Sequence, residues 1–159
     1  MPPGGPHVRP ACRADIAVLV DIDSLAYDRQ GRGRRIADLV APSQASTGRI
    51  LVVVTDGEVR GLLVYQQVLE RATVLDTAVH PDYQGQGLAA VLLQAALDEM
   101  RGGGATRCEL EVRVSNRRAI SLYRSFEFVQ DGLRKGYYPG EAGREDALLM
   151  SRELLGALE

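Results

Sequence analysis

Strand patterns in the middle of the chain are joined by turns that are too short for a crossover. A β-branched run at residues 50–55 and a second strand pattern at 59–69 enclose an Asp-Gly pair, which is typical of a hairpin turn. A third strand is predicted at 72–79, after a turn at Glu70 and Arg71. Because such short turns connect antiparallel neighbours, this part of the chain is predicted to be a β-meander.

Apolar residues at helical spacing lie on both sides of this meander. They repeat every three or four positions at residues 14–27, and residues 88–100 form the longest apolar face, which a run of glycines ends. Asn116 can cap a further helix that extends to Phe126, and a short helical pattern occupies residues 34–40. Further strands are predicted at 108–114, 128–138 and 147–154. This order of elements is that of an α+β protein, and the 159 residues are expected to form a single domain.

Composition argues against several classes of function. The formal net charge is −2, and 45% of the residues are hydrophobic and 25% charged, so the chain has no general attraction to nucleic acid or to an anionic membrane. The local exception is a glycine-interrupted basic cluster, which we interpret as a candidate rim for a substrate site. It consists of Arg29, Arg32, Arg34 and Arg35.

The cysteines and the N-terminal segment bear on the compartment of the protein. Cys12 and Cys108 are far apart, and with two histidines in the chain they indicate neither a zinc site nor a disulfide framework. The first residues carry neither the basic nor the apolar part of a signal peptide, and no apolar run approaches the ~20 residues that span a bilayer. A cytoplasmic protein without bound metal, nucleic acid or membrane is therefore expected.

A glycine-containing segment joins the third strand to the longest helix. Gly85 and Gly87 lie where that helix begins, so the backbone can approach a ligand closely, and the free N–H groups and the helix dipole favour an anion such as phosphate. The spacing from Gly85 to Ala90 has the form of a dinucleotide fingerprint, but the chain lacks repeated βαβ units. A P-loop would require Lys and Ser or Thr at its end. On spacing alone, a helix start without any ligand stays open.

Two motifs in the second half of the chain are similar to the signatures of a known superfamily. Gln84-x-x-Gly87-x-Ala89 after a strand, and the helix from Asn116 to its Leu-Tyr pair at Tyr123, resemble the acyl-CoA signature and the second signature of GNAT N-acetyltransferases. Further similarity is to the RimI branch, whose members acetylate the N-terminal alanine of a small-subunit ribosomal protein; it lies at residues 110–116, 137–139 and 145–150. The resemblance implies acetyl-CoA as co-substrate and a GNAT fold, with a mixed, mostly antiparallel sheet of about six to seven strands flanked by about four helices.

The resemblance also implies roles for individual residues. Glu111 would be the base that takes a proton from the acceptor amine, and Tyr123 the acid that protonates the sulfur of coenzyme A. Tyr137 and Tyr138 would line a peptide-sized cleft. A strand end and Asn116 would contact the pantetheine arm, and the helix start would hold the pyrophosphate. These cofactor contacts are Thr77, Ala78, Val79, Gln84, Gly85, Gln86, Gly87, Leu88, Ala89, Ala90 and Asn116.

Several alternatives stay open at this level. On pattern alone, Glu111 belongs to a solvated charged strand face and Tyr123 is a half-buried core aromatic. The resemblance implies that the acceptor is a protein N-terminus. A lysine side chain or a small amine stays open as the alternative, because residues 26–35 lack the aromatic, proline-containing loop of the family. A module that binds acyl-CoA without turnover is a third hypothesis. A covalent acyl-cysteine is disfavoured, since Cys108 falls on the apolar side of its strand.

One further departure concerns the end of the Asn116 helix. Where the family usually has glycine, this chain has Glu127. Glycine at that place usually adopts a left-handed conformation, which costs a glutamate on the order of 1 kcal/mol.

Overall fold

A computed structural model describes residues 5–27, 48–140 and 143–154. This part of the chain contains seven strands and three α-helices. The strands are β1 His7–Pro10, β2 Gly48–Thr55, β3 Glu58–Val68, β4 Arg71–Val79, β5 Arg107–Arg113, β6 Val129–Gly140 and β7 Gly143–Glu153. The α-helices are α1 Ile16–Tyr27, α2 Leu88–Gly102 and α3 Arg117–Ser125, and short 3-10 turns lie at Arg13–Asp15 and Pro81–Tyr83.

All strands belong to one sheet in the order β1-β2-β3-β4-β5-β7-β6. Every neighbouring pair is antiparallel except β4 and β5, which run parallel. The parallel pair is connected through α2, the crossover that parallel neighbours require. The expected α+β class and the mixed, mostly antiparallel sheet are confirmed.

The meander has the predicted strands, with one turn displaced. The Asp-Gly turn between β2 and β3 has positive φ at both residues, as favoured two-residue hairpin turns require. The turn between β3 and β4 was expected at Glu70 and Arg71, which is wrong by one residue, because Arg71 already pairs with Val68. Leu69 and Glu70 form the loop instead, and Leu69 adopts φ 57°. Polar residues are typical of turns, so the sequence pattern favours Glu70 and Arg71, whereas the exposed Leu69 is in the loop and Arg71 is in the strand.

Strand β1 was not expected from the sequence. It has four residues and ends in Pro10, so it shows no clear alternation, and it pairs with β2 at the edge of the sheet, where proline is tolerated. The helix expected at 34–40 and the arginine cluster fall outside the described residues, so three of the roughly four expected helices are described.

Apolar residues are buried on both faces of the sheet. On one face α1 contributes Leu19 and Ile22 to a cluster with residues of β2, β3 and β4. On the other face a larger cluster joins β2 to β5 and β7 through α2 and α3. The buried stripe of α2 follows helical spacing, and each fully buried leucine in it contributes roughly 1.5–3 kcal/mol. It consists of Leu88, Leu92, Leu93, Ala96, Leu97 and Met100.

The parallel pair β4 and β5 is in register only near its start. Pairing runs from Arg71 opposite Arg107 to Val74 opposite Leu110 and then stops. At that point β4 carries an extra residue, Leu75, relative to its other neighbour β3. A bulge of this kind bends and twists a strand. The two strands therefore diverge, and we call the gap between residues 75–79 and 111–113 the wedge.

Helix α3 ends in a left-handed turn that holds Tyr123 against the core. Glu127 has φ 71°, and its N–H donates to the carbonyl of Arg124 at 2.9 Å. The N–H of Phe128 donates to the carbonyl of Tyr123 at 3.0 Å, and the two aromatic rings pack with centroids 5.7 Å apart. This is a Schellman motif with its usual apolar contact, so the helix ends in the left-handed conformation although Glu127 stands where the family usually has glycine.

Replacing Glu127 with glycine is expected to stabilise the protein by about 0.5–1 kcal/mol, because the left-handed strain disappears while the unfolded chain gains some entropy. The glutamate side chain is largely exposed and lies 3.8 Å from Arg152, so its ion pair contributes little. Urea denaturation would measure the change. Glu127→Ala keeps a Cβ and therefore the left-handed strain, so its free energy of unfolding should not rise. Equal stability of the Gly and Ala variants would contradict the strain argument.

Candidate functional site

The wedge opens into a cavity of about 670 Å³, which we call the wedge cavity. Its size is typical of small-molecule sites. Strand β4 forms one wall with residues 74–79 and β5 the opposite wall with residues 110–113, while the start of α2 and the first turns of α3 close it. The gap therefore exists because a sheet bulge separates two parallel strands, and helix starts surround it.

Local contacts order the connection from β4 to α2. Nδ1 of His80 accepts a hydrogen bond from the N–H of Asp82 at 3.1 Å and so caps the 3-10 turn, in which Pro81 takes the first position. Tyr83 packs edge-on against His80, and the guanidinium of Arg60 lies 4.0 Å above its ring. Side-chain contacts thus hold this segment in place ahead of the helix start.

The first turn of α2 faces the wedge cavity with free backbone donors. Gly87 is the N-cap with φ 81°, and Gly85 has φ 83°. An added Cβ at either position would meet no atom within 4 Å, so the requirement for glycine is conformational and not steric. The first helical hydrogen bond runs from Val91 to Gly87, which leaves the N–H groups of residues 88–90 without a helical acceptor. With the helix dipole, these groups form an anion site of the kind that phosphates occupy.

Gln84 links the two sides of this site. Its Nε2 donates to the carbonyl of Val79 at 3.1 Å, and its Oε1 accepts from Nη1 of Arg118 at 3.2 Å. Arg118 lines the wedge cavity, and no carboxylate among the described residues forms an ion pair with it. The sequence analysis missed Arg118. A cation in the first turn of α3 interacts unfavourably with the helix dipole. An arginine at such a position is a sequence signal that could have indicated an anion-binding role.

Asn116 and Tyr123 lie on one face of α3, and both line the wedge cavity. Oδ1 of Asn116 accepts from the N–H of Ala119 at 3.2 Å, which confirms the predicted cap. Tyr123 is 7% exposed. Burial raises the pKa of Tyr123 to about 12, although the side chain of Thr77 acts in the opposite direction. The hydroxyl of Tyr123 is therefore protonated at neutral pH.

Glu111 lies on the opposite face of β5 from its buried neighbours. The side chains of this strand alternate as predicted, and Cys108 is fully buried, which raises the pKa of its thiol to about 12. The Glu111 side chain is 31% exposed, and its Oε2 lies 3.3 Å from Nη2 of Arg134. Glu111 also lines a second cavity of about 490 Å³, which shares Leu75 and Tyr138 with the wedge cavity. It thus stands at the junction of two cavities.

The two tyrosines of β6 lie beside Glu111. Pairing of β6 with β7 passes from Arg134 opposite Ala147 to Tyr138 opposite Glu145, so residues 135–137 form a bulge. The rings of Tyr137 and Tyr138 pack edge-to-face at 4.9 Å. Tyr138 lines both cavities, whereas Tyr137 lines only the second one.

The structure brings together nearly all residues that the sequence singled out. All residues that were given a catalytic, cofactor-binding or acceptor-binding role line the wedge cavity except Gln86 and Tyr137. Gln86 is exposed within the glycine turn, and its contact with a ligand stays a prediction. Within the described ranges, no group of three or more His, Cys, Asp or Glu side chains could hold a metal ion. No helix in the same ranges has the length and apolar character needed to cross a membrane.

Comparison with known proteins adds independent information. The chain matches the acetyltransferase (GNAT) family over residues 19–128. It is 44% identical over 96 residues to the ribosomal protein bS18-alanine N-acetyltransferase of Escherichia coli strain K12, covering 60% of this chain and 65% of that protein. It is 38% identical over 100 residues to a Bacillus subtilis protein named as a putative enzyme of the same kind, covering 63% and 65% of the two chains. The match thus spans about 65% of the length of these curated relatives.

A solved structure extends the similarity over almost the whole chain. The crystal structure of the ribosomal-protein-S18-alanine N-acetyltransferase from Escherichia coli matches with a TM-score of 0.85 and 31% identity, and 94% of each chain is covered. The wedge, the open helix start and the capped α3 all lie within or beside the region of the family match. This chain belongs to the acetyltransferase (GNAT) family.

Proposed function

We propose that this protein transfers the acetyl group of acetyl-CoA to a primary amine, the N-terminal α-amino group of a protein, by direct transfer while both substrates are bound. The observation that carries the proposal is the meeting of Glu111 and Tyr123 at one cavity, onto which the free donors of α2 open. The family match and the relatives support it. The active unit is proposed to be a single domain of residues 1–159.

The wedge cavity suits acetyl-CoA in charge and in shape. The N–H groups of residues 88–90 and the guanidinium of Arg118 offer donors to the pyrophosphate. Among the described residues, the pairing of β4 with β5 ends at Val74, and the backbone of the following residues of β4 borders the cavity where an extended amide-containing arm would lie. When bound there, acetyl-CoA supplies the activated acetyl group as a thioester.

Glu111 is proposed to prepare the amine. An N-terminal α-amino group has a pKa of about 7.7–8.0, so at neutral pH it arrives largely as an ammonium and must lose a proton before it can attack. The carboxylate of Glu111 takes that proton, directly or through a water molecule. Because its side chain is 31% exposed and lines both cavities, the proton can then pass to solvent.

Tyr123 is proposed to act on the departing sulfur. With a pKa of about 12 its hydroxyl stays protonated, whereas thiols have a pKa near 8.5, so full proton transfer from the buried tyrosine is uphill. Tyr123 therefore acts first as a hydrogen-bond donor to the negative charge that develops on sulfur. As the C–S bond breaks, the proton that Tyr123 gives to the thiolate is replaced by the second proton of the former amine nitrogen, which is strongly acidic once that nitrogen is bonded to the acyl carbon.

Direct transfer is favoured over an acyl-cysteine. The thiol of Cys108 is fully buried with a pKa of about 12, so it is not a thiolate at neutral pH, and it lies on the face of β5 away from Glu111. Cys12 is exposed and does not line the wedge cavity. Neither thiol is placed to carry the acetyl group between the two substrates.

The acceptor is proposed to be the N-terminal alanine of a ribosomal protein, in the cytoplasm. The relatives named as bS18-alanine N-acetyltransferases support this choice. The paired rings of Tyr137 and Tyr138 beside the second cavity also favour a peptide over a small amine, because they offer a broad surface with polar tips.

Acetyl-CoA consumption with three acceptors would test the proposal. The acceptors are a peptide that starts with alanine, a peptide with an acetylated N-terminus and a free lysine, and a polyamine. We expect turnover with the first and little with the others. Turnover with the polyamine alone would overturn the N-terminal assignment, and acetyl-CoA binding without turnover on any amine would leave a binding module.

Replacing Arg118 with alanine is expected to raise KM for acetyl-CoA about ten-fold or more, because a charge-assisted hydrogen bond to phosphate is lost. The donor acetyl-pantetheine lacks the phosphates, and its kcat/KM should not change. Arg117→Ala removes the adjacent exposed cation, which does not line the wedge cavity, and serves as the matched control. If kcat/KM falls equally with acetyl-CoA and with acetyl-pantetheine, Arg118 supports the site through Gln84 instead of binding phosphate.

A further inference from the structure

The ion pair between Glu111 and Arg134 stands where the acceptor must arrive. Nη2 of Arg134 lies 3.3 Å from Oε2 of Glu111, the carboxylate to which the proposed function brings an ammonium group. Arg134 lies on β6 opposite Ala147 of β7, whose side chain is only a methyl group, and it reaches across that strand to Glu111 of β5. An arriving ammonium and this guanidinium would compete for the same oxygen.

Exchange of the two cations is feasible. The Arg134 side chain is 52% exposed, and exposed ion pairs contribute little to stability, so an incoming ammonium can displace the guanidinium at small cost. The displaced group also keeps a second contact, since its central carbon lies 4.8 Å above the ring of Tyr137. Arg134 would therefore stay within the second cavity after it leaves Glu111.

The chemistry of a peptide N-terminus gives the released guanidinium a partner. The first carbonyl carbon lies only two bonds from the α-nitrogen, about 2.5 Å away. With the ammonium at Glu111, the first carbonyl oxygen comes close to the position that the guanidinium occupied. Arginine carries donors and no acceptor, so a carbonyl oxygen is the peptide group that it can bind.

On these grounds, and resting on the proposed function, we propose that Arg134 is a specificity-determining residue that recognises the first carbonyl group of the acceptor. The ammonium of the acceptor takes its place at Glu111, and its guanidinium then donates a hydrogen bond to the carbonyl oxygen. A lysine side chain or a polyamine has no carbonyl at this distance from its amine. Arg134 thereby favours peptide N-termini over other primary amines.

The test compares two acceptors that differ in the first amide group; because arginine has donors and no acceptor, only the carbonyl oxygen of that group can bind Arg134. One is a short peptide that starts with alanine, and the other is its analogue with an alkene in place of the first amide. Taking the ratio of kcat/KM between variant and wild type for each acceptor cancels the different basicity of the two amines. Arg134→Leu is expected to lower kcat/KM for the peptide about ten- to hundred-fold, mainly through KM, and to change it less than about three-fold for the alkene.

Two further variants keep the result interpretable. Arg134→Lys retains a donor and a charge and should recover part of the loss with the peptide only. Lys135→Leu removes the next cation of β6, which is exposed and lines neither cavity, and both acceptors should react as with wild type. Equal losses with both acceptors in Arg134→Leu would overturn the inference while the proposed function stands. A wild-type protein that acetylates neither acceptor would overturn the proposed function and the inference with it.

Discussion

Replacing Tyr123 with phenylalanine is expected to lower kcat by about 10²–10⁴-fold, the usual contribution of a positioned proton donor, with nearly unchanged affinity for acetyl-CoA. The ring of the variant keeps the packing against Phe128, so the fold should persist. Steady-state kinetics with the alanine-starting peptide and a separate binding titration would measure the two quantities.

Tyr65→Phe is the matched control for this variant. Tyr65 is also buried, and its hydroxyl donates to Oε1 of Glu99 at 2.6 Å, away from the wedge cavity. Its loss should reduce stability and leave kcat unchanged. Since the pKa of Tyr123 is about 12 and its acidic form is present below that value, no fall in rate below about pH 10 should arise from its ionisation. Wild-type kcat in Tyr123→Phe would remove this residue from the acid role.

Replacing Glu111 with glutamine is expected to lower kcat/KM about 100-fold or more near pH 6–7 and less above about pH 8. Below the pKa of the α-amino group the acceptor is an ammonium and needs a base, whereas above it the free amine is already present. The deficit of the variant should therefore shrink as pH rises. A pH series of kcat/KM for variant and wild type would show this trend.

Glu109→Gln serves as the comparison on the same strand face. Glu109 pairs with Arg107 at 2.8 Å and does not line the wedge cavity, so its replacement should have a much smaller effect at every pH. A loss in Glu111→Gln that is uniform across pH would mean that the carboxylate positions the acceptor and does not take its proton.

Much of the site follows from spacing along the chain. Asn116 and Tyr123 are seven residues apart, and two helical turns bring both to the wedge cavity. Alternation along β5 separates Glu111 from the buried Cys108. The glycine pair before α2 indicates an open helix start, and the resemblance to known enzymes selects among its ligands. These features are local, so a sequence pattern records them.

Contacts between distant segments leave no such pattern. The wedge depends on the bulge at Leu75, which appears only when β4 is aligned with β3. Arg134 reaches Glu111 across an intervening strand, and Arg118 of α3 reaches Gln84 in the segment before α2. Strand β1 is defined by its pairing and not by its composition. Contacts between segments far apart in the chain determine where these residues lie. Periodicity within one segment does not predict such contacts.

The short stretch of pairing between β4 and β5 affects how the two halves of the sheet can move. Among the described residues, strand pairing between the two halves of the sheet is limited to Arg71–Val74 and Arg107–Leu110, yet one apolar cluster runs from Leu51 on one side to Met150 on the other. This shared core therefore resists movement of the two halves as separate lobes. Unfolding should occur in one cooperative transition, and the cleft should keep its width in the absence of substrate.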